Sequence, residues 1–293
     1  MAVSGGARKL GGFGLAVVVA FAAAYGVGQA VGPMAAEPEP AAEHDGMGVA
    51  EHGGGVPKGL MVSADGLTLD VRSHGLRAGG TAGFAFRVLD DRGAPVTRFA
   101  PTHDKLMHLV VARRDLSGFQ HLHPVLSADG TWRAPLTFPA GGDYRVFADF
   151  LPAGRDEGTT LGADVPVAGA YRPVPLPAPS RTASVDGYRV TLAGTLAPGT
   201  TSKLTLTVSR GGEPVTDLQQ YLAAYGHLIA LRQGDLAYLH VHPDATTMRP
   251  GPSIVFYAEV PSAGTYRLYL DFKHGDVVRT AELTAVAAPH EEE

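Results

Sequence analysis

From Gly59 onward the chain is written in short runs of alternating apolar and polar residues, cut by Gly, Pro and Asp. Tyr144, Val146, Ala148 and Phe150 fall at every second position, so in an extended strand they share one face. The same reading predicts strands over Leu67–Val71, Ala82–Leu89, Leu106–Ala112, Phe119–His123, Trp132–Phe138, Tyr144–Phe150 and Gly162–Val167. Asp91-Arg92-Gly93, Asp129-Gly130 and Gly141-Gly142-Asp143 supply turn chemistry between them. Seven short strands in about 110 residues predict an antiparallel immunoglobulin-like sandwich.

After a proline-rich bridge from Tyr171 to Pro179 the same elements return in the same order, displaced by 119 to 122 residues. Pro95-Val96-Thr97 recurs as Pro214-Val215-Thr216, and His108-Leu109-Val110 as His227-Leu228-Ile229. Phe119-Gln-His-Leu-His-Pro124 recurs as Tyr238-Leu-His-Val-His-Pro243, and Tyr144-Arg-Val-Phe-Ala-Asp-Phe150 as Tyr266-Arg-Leu-Tyr-Leu-Asp-Phe272. The Trp132 segment has no counterpart in sequence. A period this long means tandem globular domains and not a solenoid. The chain therefore divides into an apolar segment (1–32), a linker (33–57), a first β-sandwich repeat (58–170), a Pro-rich linker (171–181), a second repeat (182–288) and an acidic tail (289–293). The expected class is all-β.

Composition agrees with cores in both repeats: 45% of residues are apolar and 18% charged, while 38 glycines and 22 prolines argue against a mainly helical fold. The net charge of −5 gives no basic surface for nucleic acid. With no cysteine, disulfides, thiolate ligands and a cysteine nucleophile are excluded. Arg8 and Lys9 are followed by an uncharged run that reaches nearly to Glu37. That is long enough for a transmembrane helix with its basic side inward, which puts the repeats on the extracytoplasmic side. The alternative is a cleaved signal, ending after Ala30 or Ala36, and a secreted product. The linker carries His44, Met47 and His52 in a composition that cannot build a core and reads as a solvated spacer.

Six of the twelve histidines occupy matched positions: His108, His121 and His123, then His227, His240 and His242. Residues two apart on a strand point the same way, so each His-x-His pair shares a face. A hairpin turning near Asp115 sets His108 opposite residues 122–124, and the matching turn sets His227 near 241–242. Asp149 and Asp271 follow each triplet at matched positions and are candidate carboxylate partners. Three imidazoles and a carboxylate suit Zn²⁺ or Cu²⁺, with Cu²⁺ the stronger binder in the general affinity order. The expectation is one such site in each repeat. Equally, a His–Asp pair could only bridge strands, and duplication would copy that device too. Met107 neighbours His108 on the opposite face and reads as core. His103 and His274 have no counterparts and read as surface residues. No Gly-x-Ser-x-Gly elbow, phosphate loop or His-Glu-x-x-His helix occurs, so no enzyme is expected.

On Met107-His108-Leu109, Phe119-Gln-His-Leu-His-Pro124 and Tyr144-Arg-Val-Phe-Ala-Asp-Phe150, the chain resembles bacterial extracytoplasmic β-sandwich proteins of the heavy-metal or copper-handling kind. The resemblance implies an anchored or secreted immunoglobulin-like domain that binds copper and passes it to a metal-handling partner. The other expectation is an envelope interaction or structural protein whose histidines hold the fold.

Overall fold

The computed structural model describes residues 56–288. The expected membrane segment, nearly all of the linker including His44, Met47 and His52, and the acidic tail lie outside the described residues. Among the described residues no helix is long and apolar enough to cross a membrane.

The first repeat contains β1 (Ser63–Ala64), β2 (Leu67–Val71), β3 (Gly80–Leu89), β4 (Phe99–Ala100), β5 (His108–Arg113), β6 (Gln120–Leu122), β7 (Val125–Leu126), β8 (Thr131–Phe138), β9 (Gly142–Pro152) and β10 (Thr159–Val167). They form the sheets β1-β2-β3-β8-β7 and β10-β9-β5-β6, with β4 beside β9. The second contains β11 (Thr182–Val185), β12 (Tyr188–Ala193), β13 (Thr201–Arg210), β14 (Glu213–Pro214), β15 (His227–Arg232), β16 (His240–Pro243), β17 (Ser253–Glu259), β18 (Gly264–His274) and β19 (Val277–Ala287). Its sheets are β11-β12-β13-β17-β16, with β14 beside β13, and β15-β18-β19. The orders β2-β3-β8-β7 against β10-β9-β5, and β12-β13-β17-β16 against β15-β18-β19, are the A-B-E-D and G-F-C sheets of an immunoglobulin-like sandwich. The chain is all-β, with two such sandwiches in tandem.

Alternation explains the cores. Tyr144, Val146, Ala148 and Phe150 of β9 pack inward with Phe84, Phe86, Leu109 and Trp132. Their counterparts Tyr266, Leu268, Leu270 and Phe272 fill the second core with Tyr188, Leu206 and Phe256. Each fully buried side chain of this size contributes roughly 1.5–3 kcal/mol. Tyr144 donates to the Ala140 carbonyl at 2.9 Å and Tyr266 to the Ser262 carbonyl at 2.8 Å. Each is a tyrosine at the start of the F strand bonded back to the chain just before it. The Trp132 segment does have a structural counterpart: β8 pairs with β3 just as β17 pairs with β13. The strand is shared although its sequence is not, because pairing depends on backbone while the filling of each core is free to differ.

The outer faces of the two G-F-C sheets are also apolar. β5 is buried at every position instead of alternating. Val110, Ala112 and Phe147 from one repeat and Ile229, Leu231 and Tyr269 from the other make a third buried cluster. Phe119 stacks on Tyr269 with ring centroids 3.9 Å apart at 7°. The counterpart pair, Phe147 and Tyr238, meets at 5.5 Å. Tyr269 donates to the Leu116 carbonyl at 2.6 Å, from the second repeat to the first. The chain entering the first repeat straps this junction: the Tyr238 amide donates to the Lys58 carbonyl at 2.9 Å. Gly59 has φ +73°, and a Cβ there would lie 2.6 Å from the Phe147 ring, so only glycine passes. The Pro-rich linker is pinned as well. Arg113 bonds Asp115 and the Arg172 carbonyl, and the Val174 amide donates to Asp115 at 2.8 Å.

Candidate metal centre

Register places the histidines on the face that meets the other repeat. His108 lies opposite Asp149 on β9, and His227 opposite Asp271 on β18. Val110 pairs with His121 and Leu109 with Leu122, the register that carries His108 toward His123. In the second repeat Leu231 meets Tyr238, but β16 then leaves this hairpin and pairs with β17, His242 opposite Tyr257.

His108, His121 and His123 converge. Each offers a ring nitrogen, and these atoms all lie within 4.8 Å of one another. The ring centroids are 5.3 Å apart for His108–His121 and 5.0 Å for each of the two pairs that include His123. Among the described residues this is the one such group of three. His227 stands beside it, 6.4 Å from His108 and 6.2 Å from His121 between centroids. His242 is exposed and lines the adjoining cavity. The side chain of His240 lies outside the described residues.

The aspartates are placed differently in the two repeats. Asp271, from the second repeat, accepts from Nδ1 of His121 at 2.8 Å, and Thr280 donates to its other oxygen at 2.5 Å. Asp149 instead accepts from Thr160 at 2.9 Å and lines the cavity. The two sandwiches dock through their G-F-C faces, which brings the carboxylate of one repeat to the histidines of the other.

The protons on these rings follow from their partners. A carbonyl only accepts, so Nε2 of His108, 3.0 Å from the Thr102 oxygen, carries hydrogen. A carboxylate only accepts, so Nδ1 of His121 carries hydrogen too. In neutral rings the remaining nitrogens, Nδ1 of His108 and Nε2 of His121, hold lone pairs, and they face each other at 3.1 Å. A proton on either nitrogen makes the contact an N–H···N hydrogen bond, and a metal ion shared by both makes it attractive without that proton. With metal–nitrogen distances near 2.0–2.1 Å, nitrogens about 3.1 Å apart subtend roughly 100° at the ion. Nε2 of His123 is buried with no hydrogen-bond partner.

Burial favours the neutral form of His108, His123 and His227. It lowers His108 to about 4, against the Thr102 carbonyl and with help from His121. Burial lowers His123 to about 3, and the neighbouring His121 and His108 add to it. His227 is lowered to about 4, again chiefly by burial. Neutral rings offer lone pairs at pH 7 without first releasing a proton. A cavity of about 210 Å³ opens beside His108 and His121, lined by His103, Asp149, His227 and Tyr238, among others.

His103, read from the sequence as a surface residue, is exposed and lines this cavity. Sequence reasoning missed the Thr160 and Thr280 hydroxyls that hold the two aspartates. Both hydroxyls follow their aspartates on the next strand, but their surroundings in sequence are too different to flag.

A family model described as "Domain of unknown function (DUF8832)" matches the chain twice, over residues 62–172 and 183–289. No curated protein matches it. Among solved structures, similarity is found to the Escherichia coli adhesin FdeC, at 18% identity over 77% of this chain and 65% of that one, with a TM-score of 0.24. Invasin, a bacterial integrin-binding protein, matches at 17% identity over 76% of this chain and 39% of that one, with a TM-score of 0.23. The D0-D1 domain of intimin matches at 10% identity over 75% of this chain and 96% of that one, with a TM-score of 0.22. The chain spans less than two thirds of the FdeC and invasin chains.

Proposed function

The chain belongs to the DUF8832 family as a tandem pair of its domains, and on that footing we propose that it binds a transition-metal ion between them. His108, His121 and His123 are the ligands, and Asp271 orients His121. The observation that carries this reading is the convergence of three imidazoles, with ring nitrogens of His108 and His121 3.1 Å apart and the opposite side of each of those rings occupied by a fixed acceptor. Metal-bound histidines are held in this way, through the nitrogen that does not ligate. The donor set suits Cu²⁺ and Zn²⁺, and Cu²⁺ stands ahead in affinity. The function is metal binding or buffering on the extracytoplasmic side, behind the expected N-terminal anchor.

A second reading has its own support. His227 bonds the Tyr221 and Leu222 carbonyls at 2.9 and 3.2 Å, and His108 bonds Thr102, so the rings also tie loops to strands. In that case the protein is an immunoglobulin-like envelope interaction or structural protein. Titration of the full chain with Cu²⁺ and Zn²⁺ separates the two. The metal reading expects the His121→Ala, His123→Ala double variant to lose one equivalent. Unchanged uptake together with lower stability supports structural histidines and sinks the metal reading.

A further inference from the structure

We propose that a groove in the second sandwich binds the alkyl chain of a fatty acid, with Arg181 holding the carboxylate. The groove lies between β12 and β13 of one sheet and β19 of the other, and it shares no residue with the histidine centre. The sheets are tied together at two points along this edge. At one, the Ser180 amide donates to the Thr284 carbonyl at 2.9 Å and the Leu192 amide to the Arg181 carbonyl at 2.8 Å. At the other, Leu196 bridges Ala287. A cavity of about 260 Å³ opens there, with Leu192, Leu196, Leu204, Ala285 and Val286 in its walls. Leu192, Leu196 and Leu204 belong to the buried core, while Val286 is 48% exposed.

The first sandwich supplies the comparison. Val165 pairs with Tyr144 and Ala285 with Tyr266, so the two are counterparts. Val71 pairs with Phe86 and Leu192 with Leu206, which makes Phe84 the counterpart of Leu204. Where the first sandwich carries valine and phenylalanine, the second carries alanine and leucine. Both replacements are smaller, and both line the groove. An apolar cavity of roughly 150 Å³ walled by leucine, isoleucine and phenylalanine takes up a benzene ring, so this one has room for a longer aliphatic group. The rim supplies the charge. Arg181 is exposed there, and its Nη1 donates to the Gly194 carbonyl, which holds the guanidinium at the groove. Among the described residues no carboxylate forms an ion pair with it. The other edge of the guanidinium, Nε with Nη2, has the fork geometry that takes a carboxylate through two parallel hydrogen bonds. An aliphatic chain with a carboxylate end therefore matches wall and rim together.

The test is calorimetry on the full chain at pH 7 with hexanoate and octanoate below their micelle concentrations, and octylammonium as the cationic control. Saturable binding is expected, tightening about fourfold for each added CH₂ from hexanoate to octanoate. Octylammonium is expected to bind at least tenfold more weakly than octanoate. Ala285→Val installs the residue that the first sandwich already carries, and is expected to weaken octanoate at least tenfold with a Tm no lower than the parent's. Arg181→Gln is expected to erase the preference for octanoate over octylammonium. A parent without saturable binding, or an Ala285→Val variant that binds octanoate as the parent does, overturns the groove as the site. Equal binding of octanoate and octylammonium by the parent overturns the role of Arg181.

Discussion

Acidification of the metal-free protein probes the histidines directly. His108 and His227 are buried, at 5% and 7% exposure, and burial holds each near a pKa of about 4 against 6.5 in the unfolded chain. Between those values the unfolded chain binds the proton and the folded chain does not. Stability from these two groups is thus complete above pH 6.5, falls as the pH drops toward 4, and changes little below that. At pH 5 an unfolded imidazole is almost fully protonated, while a folded one with a pKa of about 4 is about one-tenth protonated. The difference costs about 2 kcal/mol per histidine relative to pH 7, or about 4 kcal/mol for the pair. Against a total of about 5–15 kcal/mol this is a large share, equivalent to a drop in Tm of about 10 °C.

Urea unfolding in chelator at pH 7, 6 and 5 measures the slope. His227→Gln supplies a side-chain amide near the Tyr221 and Leu222 carbonyls but does not titrate, so it is expected to remove about 2 kcal/mol of the pH-dependent loss. Saturating Zn²⁺ at pH 6 is expected to restore stability, because an ion that binds only the folded state opposes proton uptake. Equal stability at pH 7 and pH 5 would falsify the claim that these rings are buried neutral. So would a His227→Gln variant with the parent's slope.

Three further outcomes follow from single contacts. Asp271→Asn keeps the size of the side chain but removes the charge facing His121, and calorimetry is expected to show Zn²⁺ affinity reduced about 10- to 100-fold. Phe119→Ala removes the ring stacked on Tyr269 and is expected to cost about 2 kcal/mol in urea unfolding; a loss below half that would show that the docked faces contribute little. Asp115→Asn breaks the buried bond to Arg113 that also fastens Val174, and is expected to cost about 3 kcal/mol at pH 7. Burial pushes the Asp115 carboxyl up, but Arg113 and the Val174 and Ser117 amides outweigh it and hold it at about 2. Its contribution is therefore complete above pH 4 and lost as the pH falls toward 2, and a parent-to-variant difference that persists at pH 2 would refute that account.

Much of the fold is written in the alternation. Period two in Tyr144–Phe150 and its copy gives the inward faces, and the turn at Asp115 gives the hairpin register that places His108 toward His123. The docking of the sandwiches is less legible, because strand order decides which outer faces lie side by side. One signal exists: Leu109-Val110-Val111-Ala112 is apolar at both parities, as in a strand covered on both sides. His103 was legible in a plainer way: without a counterpart in the second repeat it reads as a surface residue, and it is exposed.

Identical spacing in two repeats cannot by itself separate a ligand set from a copied strand brace, and the contacts of the two triplets differ. A brace inherited by duplication would act within each repeat, as the carbonyl bonds of His108 and His227 do. His121 reaches out of its own repeat to Asp271, and the Thr280 hydroxyl that steadies this carboxylate is also foreign to it. β16 breaks the symmetry again by joining β17, whereas β6 stays with β5. A buried carboxylate bonded to an imidazole across a docking face is a weak source of stability, because the charge must leave water. The apolar cluster of Val110, Phe147, Ile229 and Tyr269 holds the faces together without it. The same pair is well suited to fix one imidazole tautomer and aim its other nitrogen at His108. On this reasoning the duplication set three converging histidines of the first sandwich beside one carboxylate of the second.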